Sequence, residues 1–326
     1  MALVLSRADV LSVIRMEDVI EIVQRAHAEH AAGSAAQPTR ATVPLHGTPA
    51  AILPMSAALP GLDAVGLKLL SIFPENAGTS VPVLNAVVVL VSPETGQCEA
   101  VLEAGALTAY RTAAASAVAT NYLARKDSRV LGLVGAGIEA RTHLDAMRLV
   151  RPIERVVVWS RRRATADTFA ADVDDRGLPT EIADEPEQAV KQADILCTLT
   201  SSKEPIVHGS WFQPGLHVNA VGTHWITHRE IDTEAVTRSR IVVDSHEANE
   251  AECGDLMIPV SAGSLEISAF ETELGQLING ERSGRETDEE ITMYQSVGVA
   301  IQDVATAKMV TDKARRQAVG TEHALW

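Results

Sequence analysis

The sequence predicts an α/β protein in which a Rossmann dinucleotide-binding domain is joined to an α+β domain that is discontinuous in sequence. Three observations predict it. A glycine-rich turn separates a β-type run from a helical segment near residue 135, β-type and helical segments alternate after that turn, and short β-type runs broken by Pro and Gly precede it. Alternation indicates parallel sheet, whereas short strands joined by turns indicate antiparallel sheet.

The glycine-rich turn is Gly135-Ala136-Gly137-Ile138-Glu139-Ala140, which follows the apolar run Val130-Leu131-Gly132-Leu133-Val134. In a Gly-x-Gly-x-x-Ala turn the first glycine allows a tight bend and the second allows the backbone to approach a pyrophosphate. The free N–H groups at the following helix start then bind the phosphates. The pattern therefore predicts a dinucleotide site.

The second β-type run, Arg155–Trp159, ends where a Rossmann domain contacts the adenosine ribose, and Ser160, Arg161, Arg162 and Arg163 follow it. An acid at this point selects NAD through the ribose hydroxyls, but none is present. Guanidinium groups and a hydroxyl can bind a 2′-phosphate. We therefore favour NADP(H) over NAD(H), although at least one arginine is expected only to begin a solvated helix face.

Before the glycine turn, Ser6 is expected to cap a short helix, and 16–32 has helical spacing. The expected strands are 50–55, 64–73, 84–92 and 98–102, with a hairpin turn at 93–96, and an alanine-rich helix is expected at 107–123. This part predicts a sheet flanked by helices.

After the turn, the expected strands are 129–134, 155–159, 179–182, 194–199, 217–221 and 241–243, and 289–318 is expected to form one long helix. That helix is predicted to return to the first domain. The predicted domains are therefore 1–122 plus 299–326 for substrate binding and dimerisation, and 123–298 for the dinucleotide.

Composition excludes several classes of function. A net charge of −15 over 326 residues argues against nucleic-acid or anionic-membrane partners, and no apolar run is long enough to span a membrane. The three isolated cysteines indicate reduced thiols, and the interpretation is a cytoplasmic protein. His27 and His30 have near-metal spacing without a third ligand, so we expect a solvated helix face and no metal. The acidic stretch 246–255 is expected at the surface.

Three cations precede the dinucleotide turn in contexts that favour a pocket over the surface. Lys68 lies within an apolar run, Arg111 lies among small residues of a helix, and Arg40 enters the first sheet. A buried cation requires an anion or a polar cavity. Together they predict a site for an anionic substrate.

Four motifs together resemble the ornithine cyclodeaminase/μ-crystallin family over nearly the whole chain. They are 107–116 (Leu-Thr-Ala-Tyr-Arg-Thr-Ala-Ala-Ala-Ser), the Gly-Ala-Gly turn, 214–222 (Pro-Gly-Leu-His-Val-Asn-Ala-Val-Gly) and Ser296-Val297-Gly298. The resemblance implies a homodimer built on the N-terminal sheet domain, a nicotinamide cofactor, and a small imino or amino acid as substrate.

Matched by motif, Arg40, Lys68 and Arg111 are the implied substrate-binding residues. The implied cofactor-binding residues are Thr112, Gly135, Ala136, Gly137, Ile138, Glu139, Ser160, Arg161, Arg162, Thr200, Val221, Gly222, Ser296 and Gly298. Lys68 is the first candidate proton donor, because its cationic neighbours should lower its pKa toward neutrality. His224 is the second candidate.

The chain departs from the cyclodeaminase pattern at two acids. His224 stands where those enzymes have an aspartate, and Ala51-Ile52-Leu53-Pro54 lacks the glutamate that precedes their Leu-x-Pro stretch. Because these acids handle the substrate amines, their absence favours an NAD(P)H-dependent reductase of a cyclic or acyclic 2-imino acid. A cyclodeaminase with recycled NAD, an amino-acid or opine-type dehydrogenase, and a non-enzymatic binder remain as alternatives.

Overall fold

The computed structural model describes residues 1–174 and 177–325, and the chain divides into two compact units. The first unit comprises 1–111 and 299–326, and the second comprises 112–298. The boundary at 111/112 differs from the expected 122/123, because the helix Gly105–Leu123 contributes its first turns to one unit and the remainder to the other.

The strands in chain order are β1 Ala2–Leu5, β2 Val43–Pro44, β3 Ala51–Leu59, β4 Ala64–Ile72, β5 Leu84–Val91, β6 Cys98–Glu103, β7 Val130–Val134, β8 Arg155–Trp159, β9 Thr180–Ile182, β10 Ile195–Thr198, β11 His217–Ala220, β12 Arg240–Val243, β13 Thr292–Gln295 and β14 Thr321–His323. The helices are α1 Arg7–Val13, α2 Met16–Ala31, α3 Gly105–Leu123, α4 Ile138–Val150, α5 Arg163–Asp174, α6 Pro186–Gln192, α7 Thr233–Thr237, α8 His246–Glu252, α9 Gly254–Ser261, α10 Leu274–Ile278 and α11 Ala300–Gln317.

The first unit contains a seven-stranded sheet in the order β14-β1-β6-β5-β4-β3-β2. Its pairs are antiparallel except β1 with β6. The hairpin between β5 and β6 turns where it was expected, with Gly96 at φ 71°. Strands β1, β2 and β14 were not expected from the sequence, because a run of two to four residues gives too short a pattern to mark a strand.

The helices of the first unit cover one face of its sheet. Ser6 caps α1 through a capping box with Asp9, as expected. Helix α11 is almost wholly buried along its first half and packs against α2, β3 and β4. Its alanines and valines let it approach the sheet closely, so this helix forms much of the core of the unit.

The expectation of one helix over 289–318 is wrong. The segment contains β13 and α11, separated by a turn in which Gly298 has φ 78°. All four residues of β13 are buried, and the strand pairs in parallel with β11 and with β12. Pairing on both sides outweighs the weak local preference for helix.

The second unit contains an all-parallel sheet in the order β12-β13-β11-β10-β7-β8-β9. From β7 the chain continues to β8 and β9 on one side, and then returns to β10 on the other side. In open parallel sheets, ligands bind at the carboxyl ends of strands where the order reverses in this way. The glycine turn after β7 lies at this point.

No helix among the described residues is both long and apolar enough to cross a membrane.

Candidate active site

The turn after β7 requires glycine at its first position. Gly135 has φ 115°, and its N–H donates a 2.8 Å hydrogen bond to the carbonyl of Trp159 at the end of β8. A Cβ there would lie 2.8 Å from the carbonyl oxygen of Leu199. The turn is therefore held between two neighbouring strand ends, and a side chain would force it open.

The second glycine leaves room for a ligand. Gly137 is the N-cap of α4 and makes no side-chain cap, and a Cβ at this position would meet nothing within 4 Å. The first N–H groups of α4 thus remain available for an anion. The turn fits a pyrophosphate, with Ala136 and Ile138 beside it. Glu139 carries a negative charge in the first turn of this helix.

The arginines after β8 differ in their partners. Arg163 is committed to Asp167 at 3.0 Å and Asp184 at 3.1 Å. Arg161 and Arg162 are exposed, and no partner is recorded for either among residues 1–174 and 177–325. Arg162 lines a cavity of about 570 Å³ together with Ala136, Gly137, Ile138 and helix α5. Arg163 is thus the arginine on a solvated helix face.

Thr200 is held by an acid that the sequence analysis did not single out. Glu230 is fully buried, and its Oε1 accepts hydrogen bonds from Thr200 N at 2.7 Å and Thr200 Oγ1 at 2.6 Å. A Cβ at Gly222 would collide with Glu230 and with the Thr200 carbonyl. Burial raises the pKa of Glu230 to about 8, against the lowering effect of the Thr200 bonds. This carboxyl therefore fixes two expected cofactor-contacting positions.

Asp255 lies in the interior, so the expectation of an acidic surface over 246–255 is wrong at this residue. Its Oδ1 accepts hydrogen bonds from the backbone N–H groups of Glu230 at 2.8 Å and Ile231 at 3.2 Å. Burial raises the pKa of Asp255 to about 6. The segment forms helices α8 and α9 where a surface loop was expected, and Asp255 faces the protein interior from α9.

Ser296 and Gly298 share one buried acid, Asp244, which the sequence analysis also missed. Asp244 Oδ2 accepts 2.9 Å and 2.7 Å hydrogen bonds from Ser296 Oγ and Gly298 N, respectively. Burial raises the pKa of Asp244. The turn between β13 and α11 is therefore fixed from the end of the neighbouring strand β12.

The loop after β11 carries Val221, Gly222 and His224. His224 is half-buried, and its ring lies 5.7 Å from the Trp225 ring between centroids, tilted by 35°. Thr223 is buried. The residue that replaces the cyclodeaminase aspartate is thus an aromatic base beside a tryptophan.

In the first unit, Lys68 is fully buried on β4, with 0% of its side chain exposed. Its cross-strand neighbours, Met55 on β3 and Val88 on β5, are buried and apolar. Its Nζ lies 2.7 Å from Oδ2 of Asp303 on α11. The apolar run around Lys68 therefore places the ammonium on the inner face of the sheet, against a carboxylate.

Arg111 on α3 reaches the same carboxylate. Its Nε donates a 2.9 Å hydrogen bond to Asp303 Oδ1, and its Nη1 donates a 2.7 Å bond to Oε1 of Gln302. Within the described part of the chain no partner is recorded for Nη2. Thr112, the next residue, is also buried.

Arg40 joins this group from the segment before β2. Its Nη1 lies 3.7 Å from the sulfur of Met55, which is the cross-strand neighbour of Lys68. The structure thus brings together all three cations that the sequence analysis grouped. It adds Asp303, which we name with them the cationic cluster: Arg40, Lys68, Arg111 and Asp303.

The pKa of Lys68 is lowered to about 7. Desolvation is the largest cause, Asp303 opposes it, and Arg111 and Arg40 add to it. The expected direction is confirmed, but burial outweighs the cationic neighbours to which the sequence analysis attributed the shift.

His27 is buried, contrary to the expected solvated helix face. Its Nε2 lies 3.0 Å from Nε2 of Gln302, so the amide donates to the ring. Burial lowers the pKa of His27 to about 3, with smaller contributions from His30 and Arg111. His27 is therefore neutral and braces Gln302, because α2 turns this residue toward α11.

Comparison with known proteins agrees with this geometry. The model of the ornithine cyclodeaminase/mu-crystallin family matches residues 1–318. A Delta(1)-pyrroline-2-carboxylate reductase of Bacillus cereus is 36% identical over 322 residues, which cover 98% of this chain and 99% of that protein.

Two solved structures share the whole fold. The Delta(1)-pyrroline-2-carboxylate reductase of Thermococcus litoralis, in complex with NADH and L-proline, superposes with a TM-score of 0.96 at 39% identity and covers 98% of this chain and 100% of its own. An archaeal alanine dehydrogenase dimer with bound NAD gives a TM-score of 0.95 at 34% identity, with 100% and 99% covered. The predicted resemblance and α/β fold are confirmed.

Proposed function

The chain belongs to the ornithine cyclodeaminase/mu-crystallin family, and we propose that it reduces the carbon–nitrogen double bond of a cyclic 2-imino acid of the Delta(1)-pyrroline-2-carboxylate type. It is an oxidoreductase of imino acids that uses a nicotinamide cofactor. The observation that carries the proposed substrate class is the cationic cluster, in which Lys68 and Arg111 contact one buried carboxylate and Arg40 lies near Lys68.

The cluster has an excess of positive charge that suits a carboxylate. With Lys68 protonated, it holds three positive charges and one negative charge, so a bound carboxylate would reduce its net charge from +2 to +1 beside the buried Lys68 and Asp303. Arg111 Nη2 and Arg40 would bind the substrate carboxylate through charge-assisted hydrogen bonds. Holding the carboxylate fixes the position of the adjacent C2 atom.

Lys68 is the proton donor in this proposal. The cofactor, when bound, supplies the hydride that C2 receives. The substrate nitrogen then takes a proton from Lys68 Nζ, which leaves Lys68 neutral. A pKa of about 7 suits this exchange, since the group gives up and regains a proton readily near neutral pH. His224 is the second candidate, and the effect of His224→Asn tests it.

The second unit would hold the cofactor at the turn after β7. The open space at Gly137 and the uncapped start of α4 accept a pyrophosphate. Thr112, Thr200, Val221, Gly222, Ser296 and Gly298 are proposed as further cofactor-binding positions. NADP(H) is favoured over NAD(H), because Ser160, Arg161 and Arg162 follow β8 without an acid and the two arginines keep their guanidinium groups available.

We further propose a homodimer formed through the sheet of the first unit. Leu69 and Val87 are cross-strand neighbours on β4 and β5, and both remain 40–41% exposed on the face opposite Lys68. Val43 on β2 pairs with Ile52, which places it on the same face as Leu69, and it is 50% exposed. Apolar surface of this kind marks association sites, and the similar alanine dehydrogenase is a dimer.

The experiment is the oxidation of NADPH and NADH, followed by absorbance, with a substrate panel. The panel is Delta(1)-pyrroline-2-carboxylate, its six-membered homologue, and pyruvate with ammonia. We expect turnover of the cyclic imines, and loss of it in Lys68→Gln. Proline and ammonia formed from ornithine without added reductant would instead identify a cyclodeaminase. Preference for pyruvate with ammonia would identify an amino-acid dehydrogenase, and no turnover at all would favour a binding protein.

A further inference from the structure

Asp303 is the negative centre of the cationic cluster and is fully buried on α11. Each of its carboxylate oxygens serves a different cation. Oδ2 lies 2.7 Å from Lys68 Nζ, and Oδ1 accepts the 2.9 Å bond from Arg111 Nε. One carboxylate therefore joins the proposed proton donor to a proposed carboxylate-binding residue.

The two contacts of Asp303 differ in geometry. The Arg111 contact satisfies hydrogen-bond angles, whereas the Lys68 contact is close but poorly directed, and neither Lys68 Nζ nor Asp303 Oδ2 forms a well-aligned hydrogen bond. The charge attraction between Lys68 and Asp303 does not depend on this alignment. An ammonium has three N–H donors, so the contact with one oxygen of Asp303 leaves donors of Lys68 for a second acceptor.

Three charged groups face Lys68, from α11, from α3 and from the segment before β2. Asp303 on α11 is negative, while Arg111 on α3 and Arg40 before β2 are positive. His27 on α2 contacts Gln302, lies near enough to Arg111 for its pKa to be lowered by that charge, and is neutral. Asp303 is thus the charge that opposes both the burial of Lys68 and its two cationic neighbours.

We propose that Asp303 is a positioning residue that keeps Lys68 protonated for donation to the substrate nitrogen and orients the Arg111 guanidinium toward the substrate carboxylate. The proposal rests on the proposed function and adds a residue to it. Asp303 itself acts through Lys68 and Arg111. In the reverse reaction, the oxidation of an amino acid, the same charge opposes activity, because Lys68 must then be neutral to accept the proton.

The test compares Asp303→Asn with Asp312→Asn, which removes the same charge from the same helix at the partly exposed pair with Lys308. The pH dependence of kcat/KM is measured for imine reduction and for L-proline oxidation. In Asp303→Asn, the pH at which Lys68 titrates should fall by about one to three units, the range for a lost opposite charge. Reduction at pH 8 should drop by more than about tenfold. Oxidation at pH 6 should drop far less, because the larger neutral fraction of Lys68 offsets the loss that comes from displacement of Arg111.

Asp312→Asn should leave both profiles unchanged. Asp303→Glu keeps the charge, so its profile should stay near the wild-type position while KM rises because Arg111 is displaced. Equal losses in both directions at every pH in Asp303→Asn, or a Glu variant shifted as far as the Asn variant, would overturn the proposal. If Asp303→Asn fails to fold, the pH profile of Asp303→Glu by itself tests the proposal.

Failure of the proposed function itself is recognised separately. If the wild-type protein turns over none of the substrates, binding of pyrrole-2-carboxylate is measured by calorimetry at pH 7 in two buffers of different ionisation enthalpy. A bound carboxylate favours protonated Lys68. Because less of Lys68 is protonated in unbound Asp303→Asn at pH 7, this variant should take up more protons on binding than the wild type. Equal uptake would contradict the role of Asp303 independently of catalysis.

Discussion

The Nε of Arg111 donates a 2.9 Å hydrogen bond to Oδ1 of Asp303, a residue 192 positions later in the chain. Both residues belong to the first unit, which the chain leaves after Arg111 and re-enters at Val299. The cationic cluster is therefore complete only when α11 has packed against the N-terminal sheet. Its assembly depends on folding of the first unit as a whole.

Substitution of Arg111 by Ala is expected to weaken substrate binding strongly while the dinucleotide still binds. Loss of a charge-assisted contact costs about 1.5–3 kcal/mol, or roughly ten- to a hundred-fold in kcat/KM. NAD(P)H affinity, measured by fluorescence titration, should change little, since the glycine turn belongs to the second unit. Normal turnover by the variant would show that Arg111 does not bind the carboxylate.

Gly137→Ala and Gly135→Ala are expected to fail in different ways. The Cβ at position 137 meets nothing within 4 Å, so the variant should keep its thermal stability without ligand but lose the stabilisation that NAD(P)H gives. Gly135→Ala forces an alanine into φ 115° against Leu199 and should lower the melting temperature even without ligand. Scanning calorimetry with and without NAD(P)H distinguishes them. A Gly137→Ala protein that binds the cofactor normally would place the pyrophosphate elsewhere.

The double variant Arg161→Ala/Arg162→Ala should lose NADPH activity selectively. Two charge-assisted contacts to a 2′-phosphate disappear, so kcat/KM for NADPH should fall by about tenfold or more while that for NADH stays nearly constant. Arg163→Ala is the matched control, because its guanidinium is committed to Asp167 and Asp184. A wild type that prefers NADH, or a double variant with unchanged preference, would contradict the NADP(H) assignment.

Glu230→Gln should change the pH dependence of stability. The pKa of Glu230 is about 8 in the folded protein against 4.5 for an unperturbed glutamate, so the folded state binds more protons between these pH values. This group's stabilising contribution is present below pH 4.5 and is lost as pH rises toward 8. The glutamine keeps the acceptor for Thr200 without a charge to bury.

The melting temperature of Glu230→Gln should therefore rise relative to wild type as pH increases from 4.5 to 8, and the gain should be largest near pH 8. Glu234→Gln, at the exposed pair with Arg238, serves as control and should show no such trend. A difference that is constant with pH would mean that Glu230 is ionised throughout this range.

Leu69→Asp combined with Val87→Asp should break the proposed dimer. Two facing carboxylates on neighbouring strands would be costly to bury in an apolar interface. Light scattering after size exclusion should show a wild-type dimer and a monomeric variant, with unaltered helix and strand content by circular dichroism. A monomeric wild type would contradict the proposal.

The dinucleotide turn and most of the strands could be predicted because their signals are local. Gly135, Gly137 and the apolar run before them lie within a few residues, and the alternation after them extends over the second unit. The exceptions were short or context-dependent. β13 carries polar Thr292 and Gln295, and only pairing with β11 and β12 makes it a strand.

The sequence by itself determined the family, the two halves of the fold, and the three cations of the cluster, because these depend on residue type and spacing along the chain. Only the tertiary structure decided which groups those residues meet. Asp303 lies on α11, and the packing of this helix brings its carboxylate to Lys68 and Arg111. Glu230 follows the loop that carries Gly222, and its carboxyl lies beside Gly222 and accepts hydrogen bonds from Thr200. The pKa of a buried group depends on how far water is excluded from it and on charged neighbours that are distant in sequence. Both arise only when the chain folds.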